Sequence, residues 1–221
     1  VSPHIRAAIV HIAGKYPDAK WVHLKREPVS CQASLAASPK RAVPAKYGLA
    51  RAQLEGKAIH RMVELYMKGT LDLAAMHSDE SQQWLLPRLA ALEKFIDETG
   101  FVCLEAERPI YNHRLGYAGT PDLIGGMPSV KRLRGRLAVV DVKRSFYAGR
   151  VIGFQIAAYQ HAWNDSLKQG DSRKVSGRYA LQLRPDGTYR LRPFTDKSDF
   201  TTFLACLTLW RAGLEVRTDQ E

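Results

Sequence analysis

Apolar residues in the first half of this chain recur with a helical period, and near Phe101 the period shortens to that of strands. Over residues 45–67, Leu49, Ala52, Ile59, Val63 and Tyr66 form one stripe and Gly69 stands where a helix would stop. A second helix is expected over 81–99, with Ser81 as N-cap, Leu85, Leu89, Leu92 and Phe95 as its stripe, and Gly100 as its end. Phe101 to Tyr111 then reads as a strand, and Tyr117 to Ile124 as its hairpin partner across Asn112–Gly116. Leu137 to Lys143 is a third strand. Residues 151–168 return to the helical period. Tyr179–Leu183 and Tyr189–Arg192 flank Pro185-Asp186-Gly187, a hairpin signal, and a last helix is expected over about 197–213. Upstream, Ile5, Ala8, Ile9 and Ile12 have weak helical spacing, and Trp21 to Leu24 could form a short strand. Residues 27–44, with Pro28, Pro39 and Pro44, read as loop. This order predicts an α/β (α+β) protein with a mixed central sheet of about four to five strands flanked by helices.

The 221 residues suffice for one core, so a single domain is expected over 1–221. It divides into an extension at 1–44, a core at 45–165 and a C-terminal hairpin and helix at 170–221. Charge sharpens the picture. Lys and Arg number 33 against 22 Asp and Glu, a net +11 that attracts polyanions in a salt-dependent way. Charge alone does not separate DNA, RNA and membrane headgroups. A basic loop carries Lys131, Arg132, Arg134 and Arg136, which could follow a polyanion or simply be solvated. Three cysteines, Cys31, Cys103 and Cys206, lie far apart and read as free thiols; they are too few for a four-cysteine iron–sulfur cluster. No run reaches membrane-spanning length and the first residues do not resemble a signal peptide. The expectation is a cytoplasmic protein, of a bacterium or a phage-infected host cell, with no membrane partner.

The chemistry concentrates around Asp141-Val142-Lys143. Alternation along a strand puts Asp141 and Lys143 on one face and Val142 on the other. An acid and a base at a strand end suit metal-assisted phosphodiester cleavage, and equally a plain surface ion pair. Asp122, in Gly119-Thr120-Pro121-Asp122, suits close approach to another group, or is a turn aspartate. The hairpin-length separation lets adjacent strands bring Asp122 and Asp141 together, and two such carboxylates favour a hard cation between them, Mg²⁺ or Mn²⁺. His60 sits mid-helix, with Glu64 one turn on, either orienting it or solvated. Glu105 and Glu107 alternate on one strand face; Glu107, nearer the hairpin turn, is the preferred metal or water ligand, an edge-strand glutamate being the alternative. Gln155 and Tyr159, spaced i, i+4, share a helix face that could hold a phosphate or the lysine, or merely pack.

Five elements therefore stand in one order: Gly56-x-x-x-His60, Glu107, Gly119-x-x-Asp122, Asp141-x-Lys143 and Gln155-x-x-x-Tyr159. Over about residues 45–165 this resembles the PD-(D/E)xK nuclease superfamily, in its RecB/Cas4-like branch. The missing cysteines place the resemblance with cluster-free exonucleases of phage or mitochondrial-genome-maintenance type. The resemblance implies a restriction-endonuclease-like core and a Mg²⁺- or Mn²⁺-dependent deoxyribonuclease leaving 5′-phosphate products. It implies an exonuclease acting on DNA ends in recombination, repair or phage DNA processing. Metal ligands would be His60, Asp122, Asp141, Glu107 and the backbone carbonyl of Val142. The catalytic set would be Asp122, Asp141, Lys143 and Glu107, with Gln155 and Tyr159 supporting the lysine and contacting DNA. Arg144, Arg150, Lys131, Arg132 and Arg134 would track the DNA backbone, and Phe146 or Tyr147 would stack on an end base. DNA is the implied partner. A single-strand annealing or recombination protein as a second partner, and the oligomeric state, stay open. Rival readings are a non-catalytic nucleic-acid-binding scaffold on the same fold and a restriction-type endonuclease.

Overall fold

The helical stripe that begins near Leu49 forms α1, Ala45–Met67, in the computed structural model, which describes residues 22–23, 45–146 and 149–212. The helix and loop expected before residue 45, Cys31 and Tyr147 lie outside the described residues; of the expected strand at Trp21–Leu24, Val22–His23 forms β1. A six-residue helix that the sequence does not predict, α2 (Leu73–Ser78), follows, with the Asp72 carboxylate accepting from the Ala75 amide at its start. The next helix, α3, spans Leu86–Thr99. It begins five residues later than Ser81, because Pro87 fixes the first turn and a short 3-10 turn at Gln83–Leu85 precedes it. Gly100 closes α3 in the left-handed conformation, as expected.

The long hairpin is broken in both arms. Its first arm is β2 (Val102–Ala106) and β3 (Ile110–Asn112); its second is β4 (Tyr117–Gly119) and β5 (Leu123–Gly126). Pro109 and Pro121 fall in the two breaks, where neither can donate to a ladder. The halves join different sheets. β3 and β4 pair antiparallel, and β1 adds parallel to β4. β2 and β5 enter a five-stranded sheet in the order β2-β5-β6-β7-β8, where β6 is Leu137–Val142, β7 Val175–Leu183 and β8 Tyr189–Pro193. Within this sheet only β6 and β7 run parallel, joined through helix α4, Val151–Ser166. Helix α5, Asp199–Arg211, ends the described chain. The architecture is thus a mixed α/β fold with a five-stranded mixed sheet flanked by helices.

Each face of that sheet buries its own core. On one face Val140, Val142, Leu181 and Leu183 pack with Ile59 and Val63 of α1 and with Leu92 and Phe95 of α3. On the other, Val139 and Ala180 pack with Ile152, Ile156 and Tyr159 of α4 and Phe203 and Leu207 of α5. Alternation along β6 therefore settles where the charged residues go: Val142 into the first core, Asp141 and Lys143 toward α4.

Candidate active site

The site forms where β5 and β6 part. Their ladder ends at Leu123 opposite Val140, but β6 continues for two more residues while the other strand turns away at Asp122. Into that opening Asp122 places its carboxylate. Oδ2 accepts a hydrogen bond from the Val142 amide at 2.7 Å, so a side chain replaces the missing strand partner. In a strand one residue's N–H and C=O point to the same edge, so the Val142 carbonyl also faces this opening. The other oxygen, Oδ1, accepts from His60 Nδ1 at 3.0 Å, which brings α1 across the opening.

Glu107 arrives from the break between β2 and β3. Its amide donates to the Asp122 carbonyl at 2.9 Å, and its backbone is left-handed, φ 52°. For a residue with a Cβ that conformation costs on the order of 1 kcal/mol. It swings the carboxylate to 4.0 Å from His60 Nδ1. One ligand atom each from His60, Glu107 and Asp122 then fall within 4.8 Å of one another. Glu105, which the sequence puts on the same face as Glu107, stays in β2 and is ion-paired with Arg108, whereas Glu107 lies past the strand's end in its left-handed conformation. Glu64 likewise turns elsewhere, binding Arg61 and Lys68 rather than orienting His60.

Asp141 is wholly buried, and its Oδ1 meets no donor among the described residues. Its charged neighbour is Lys143, whose Nζ lies 2.5 Å from Oδ2. Burial pushes this carboxyl up from its ordinary value; Lys143 pulls it back and Asp122 raises it again. A buried carboxylate with an unsatisfied oxygen is costly unless something else meets it, and a cation is the usual answer. The Lys143 ammonium is in turn held by Gln155 Oε1 at 3.0 Å, and the Gln155 amide donates to the Tyr159 hydroxyl at 2.8 Å. Tyr159 is fully buried, so it contacts Gln155 rather than a ligand at the surface. Burial, with Asp141 and Asp122 nearby, pushes its phenol well above the ordinary range.

The expected site residues thus divide. His60, Glu107, Asp122, Asp141, Val142, Lys143, Gln155 and Tyr159 form one connected group. Arg144 lies beside it, half-exposed, 3.7 Å from Glu55, whereas Arg150 is engaged with Asp196 at 2.9 Å. Lys131, Arg132 and Arg134 precede β6, so they sit beyond its opposite end, whose first residue is about 20 Å along the strand from Lys143. Arg190 and Arg192, which the sequence reading passed over, lie on the α4 face of the sheet; their alternation with Tyr189 and Leu191 was the available signal.

No protein-family model and no curated protein matches the chain. Among solved structures it is similar to the alkaline exonuclease LHK-Exo from Laribacter hongkongensis, 14% identical over 87% of this chain and 87% of that one, with a TM-score of 0.36. A structure of LHK-Exo in complex with dAMP gives 16% identity over the same shares and a TM-score of 0.35. Likeness at this level carries no argument about activity, which rests on the side chains just described.

Proposed function

We propose that this protein is a divalent-metal-dependent deoxyribonuclease of the PD-(D/E)xK kind that digests DNA from its ends, in recombination, repair or phage DNA processing. One observation carries the reading: Asp141 is wholly buried with only the Lys143 ammonium to meet its charge and one oxygen left without a donor, next to the cluster formed by His60, Glu107 and Asp122. Several carboxylates with a single imidazole fit a hard divalent cation, Mg²⁺ or Mn²⁺. His60, Glu107, Asp122 and Asp141 would hold it, with the Val142 carbonyl. When bound, such an ion lowers the pKa of a water and stabilises charge on the phosphate.

The chain's own groups do the rest. Asp141 and Gln155 fix the Lys143 ammonium from two sides, leaving its remaining N–H free for a phosphate oxygen or the attacking water. Tyr159 holds Gln155 from below, so the lysine is positioned by a chain of contacts anchored in the core. Attack in line at phosphorus, with departure of the 3′ oxygen, leaves a 5′-phosphate. Arg144, exposed beside the lysine, is placed to meet a neighbouring phosphate.

Digestion of end-labelled linear DNA and covalently closed circular DNA with Mn²⁺ tests this. The linear form should be degraded from its ends, the circle should survive, and chelation should stop the reaction. Cleavage of the closed circle would remove the exonuclease reading. Full activity of Lys143→Ala, or activity undiminished by chelator, would remove the mechanism.

A further inference from the structure

β8 carries a second feature that runs away from the site. Among the described residues it is an edge strand, paired only with β7 and antiparallel to it. Arg190 stands opposite Gln182, at the end of the sheet where the Gln182 amide holds the Arg144 carbonyl at 3.0 Å. Arg192 stands opposite Ala180, and beyond the strand the Phe194 amide bonds to the Arg178 carbonyl. Tyr189 and Leu191 pack into the core under α3, so Arg190, Arg192 and Phe194 share the other face, the one toward which Asp141 and Lys143 project. The row from Arg190 to Phe194 spans about 13 Å.

Aromatic rings accompany the row. Arg190 lies over Phe146 at 5.5 Å and Arg192 over Phe194 at 5.1 Å. At its far end the row runs into a groove lined also by Lys197, Arg132, Arg136 and a His161–Phe200 stack, whose rings are 3.5 Å apart. Two anchors bring these cations together. Buried Leu133 seats the basic loop against Gly177, where a Cβ would collide with its methyl group. Arg178 donates to Asp199 at 2.9 Å and to the Asp196 carbonyl at 2.6 Å, which fixes the turn carrying Lys197. Arg190, Arg192, Lys197, Arg132 and Arg136 have no acidic partner among the described residues, and no carboxylate lines the groove.

Five cations without counter-charge repel one another, and the rings of Phe146, Phe194 and Phe200 beside them offer faces for unpaired bases to stack on, which suits one strand rather than a duplex. We infer that the α4-facing side of β8 and the groove at its end bind single-stranded nucleic acid, leading one strand from the catalytic end of the sheet to the opposite end. This rests on the nuclease reading for what the strand is, but its test does not depend on cleavage.

Binding of a labelled 20-nucleotide single strand, followed by anisotropy in metal-free buffer with Lys143→Ala as background, reads it directly. Adding Arg190→Gln, Arg192→Gln and Lys197→Gln should weaken binding tenfold or more at low salt. It should also make the log–log salt slope shallower by about 2, three phosphates at about 0.7 each. Lys197→Glu alone, at an exposed position, should weaken binding measurably without disturbing the fold. A blunt 20-base-pair duplex should lose much less. Unchanged affinity and slope, which would leave the patch to an acidic protein surface, overturns the inference, as does an equal loss for the blunt duplex. If the wild type cleaves DNA and the triple variant binds normally, the strand path is gone and the nuclease reading stands. If the triple variant binds weakly and the wild type cleaves with no metal, the reverse holds.

Discussion

The two ends of β6 treat charge in opposite ways. Past Val142, charged groups are buried, paired and held: Asp141 is fully buried, Asp122 nearly so, and Lys143 is fixed between Asp141 and Gln155. Before Leu137, Lys131, Arg132, Arg134 and Arg136 are exposed on a loop with no acidic partner among the described residues. Burying a charge costs several kcal/mol, and such a site persists only where position matters. An exposed charge costs little and is screened over about 8 Å at physiological salt, so its exact place matters less. The first end is built for chemistry and the second for attraction. Substitutions at the first should therefore act abruptly, whereas at the second they should act gradually and be imitated by added salt.

Asp141→Asn should break the comparison most sharply if it is mistaken. DNA cleavage should fall at least roughly 1000-fold. Mn²⁺ at a hundred times its dissociation constant should stabilise the wild type by about 2.7 kcal/mol and the variant far less. Thermal denaturation with and without Mn²⁺ measures the second effect. A variant that kept both cleavage and the metal-induced shift would show that this carboxylate is an ordinary buried ion pair. Gln155→Ala comes next. It removes the acceptor on the far side of Lys143 without touching a carboxylate, so cleavage should drop about 10- to 100-fold. Gln155→Glu, which keeps an acceptor, should recover part of the loss, whereas a merely structural glutamine would give no such recovery.

Much of this division is legible in the sequence, and what is not has identifiable causes. α1 keeps the predicted bounds because its apolar stripe is long and Gly69, at φ 65°, ends it. The Asp141, Lys143 and Gln155 relation follows from strand alternation and a helix face, both local periodicities. The meeting of His60 with Asp122 does not, since 62 residues separate them and only the crossing of α1 over the parted strands joins them. Glu105 and Glu107 share a face on paper; the end of β2 at Ala106 and the left-handed Glu107 undo that. Pro109 and Pro121, one in each arm of the long hairpin, were the signal for the break. α2 is too short to show a stripe, and Pro87 is a better mark than Ser81 for where α3 begins.

One pair at the second end departs from its pattern and can sharpen the comparison. Arg178 and Asp199 are both buried and joined at 2.9 Å, behind the exposed cations. Arg178→Ala leaves Asp199 buried without its partner and should cost about 3 kcal/mol, read as a fall in the urea midpoint. Removing both charges with Arg178→Met and Asp199→Leu should cost much less. The slope against urea should stay the same, and cleavage well below the unfolding temperature should survive. A loss of cleavage equal to that of Gln155→Ala would mean that the two ends are not separable.

The smallest effect expected is a pH dependence at the same end. His161 stacks face to face on Phe200, and burial lowers its imidazole below the ordinary value; Asp165 opposes that shift, while Arg178 and Arg114 reinforce it. The folded state then binds the proton less readily than the unfolded chain does. Stability from this group is complete above the unfolded value near 6.5 and declines as pH falls through the depressed native value, below which the loss is full. Urea midpoints of the wild type should therefore drop more between pH 7 and pH 5 than those of His161→Gln, where no group titrates. The change should be slight, because the ring is only half-buried and faces solvent on one side. Bound single strand should reduce it further, since phosphates in the groove would favour the protonated imidazole and draw its value back up. A wild type whose acid-side slope is unaltered by the strand would place the strand away from His161, and would shorten the path to the stretch between Arg190 and Phe194.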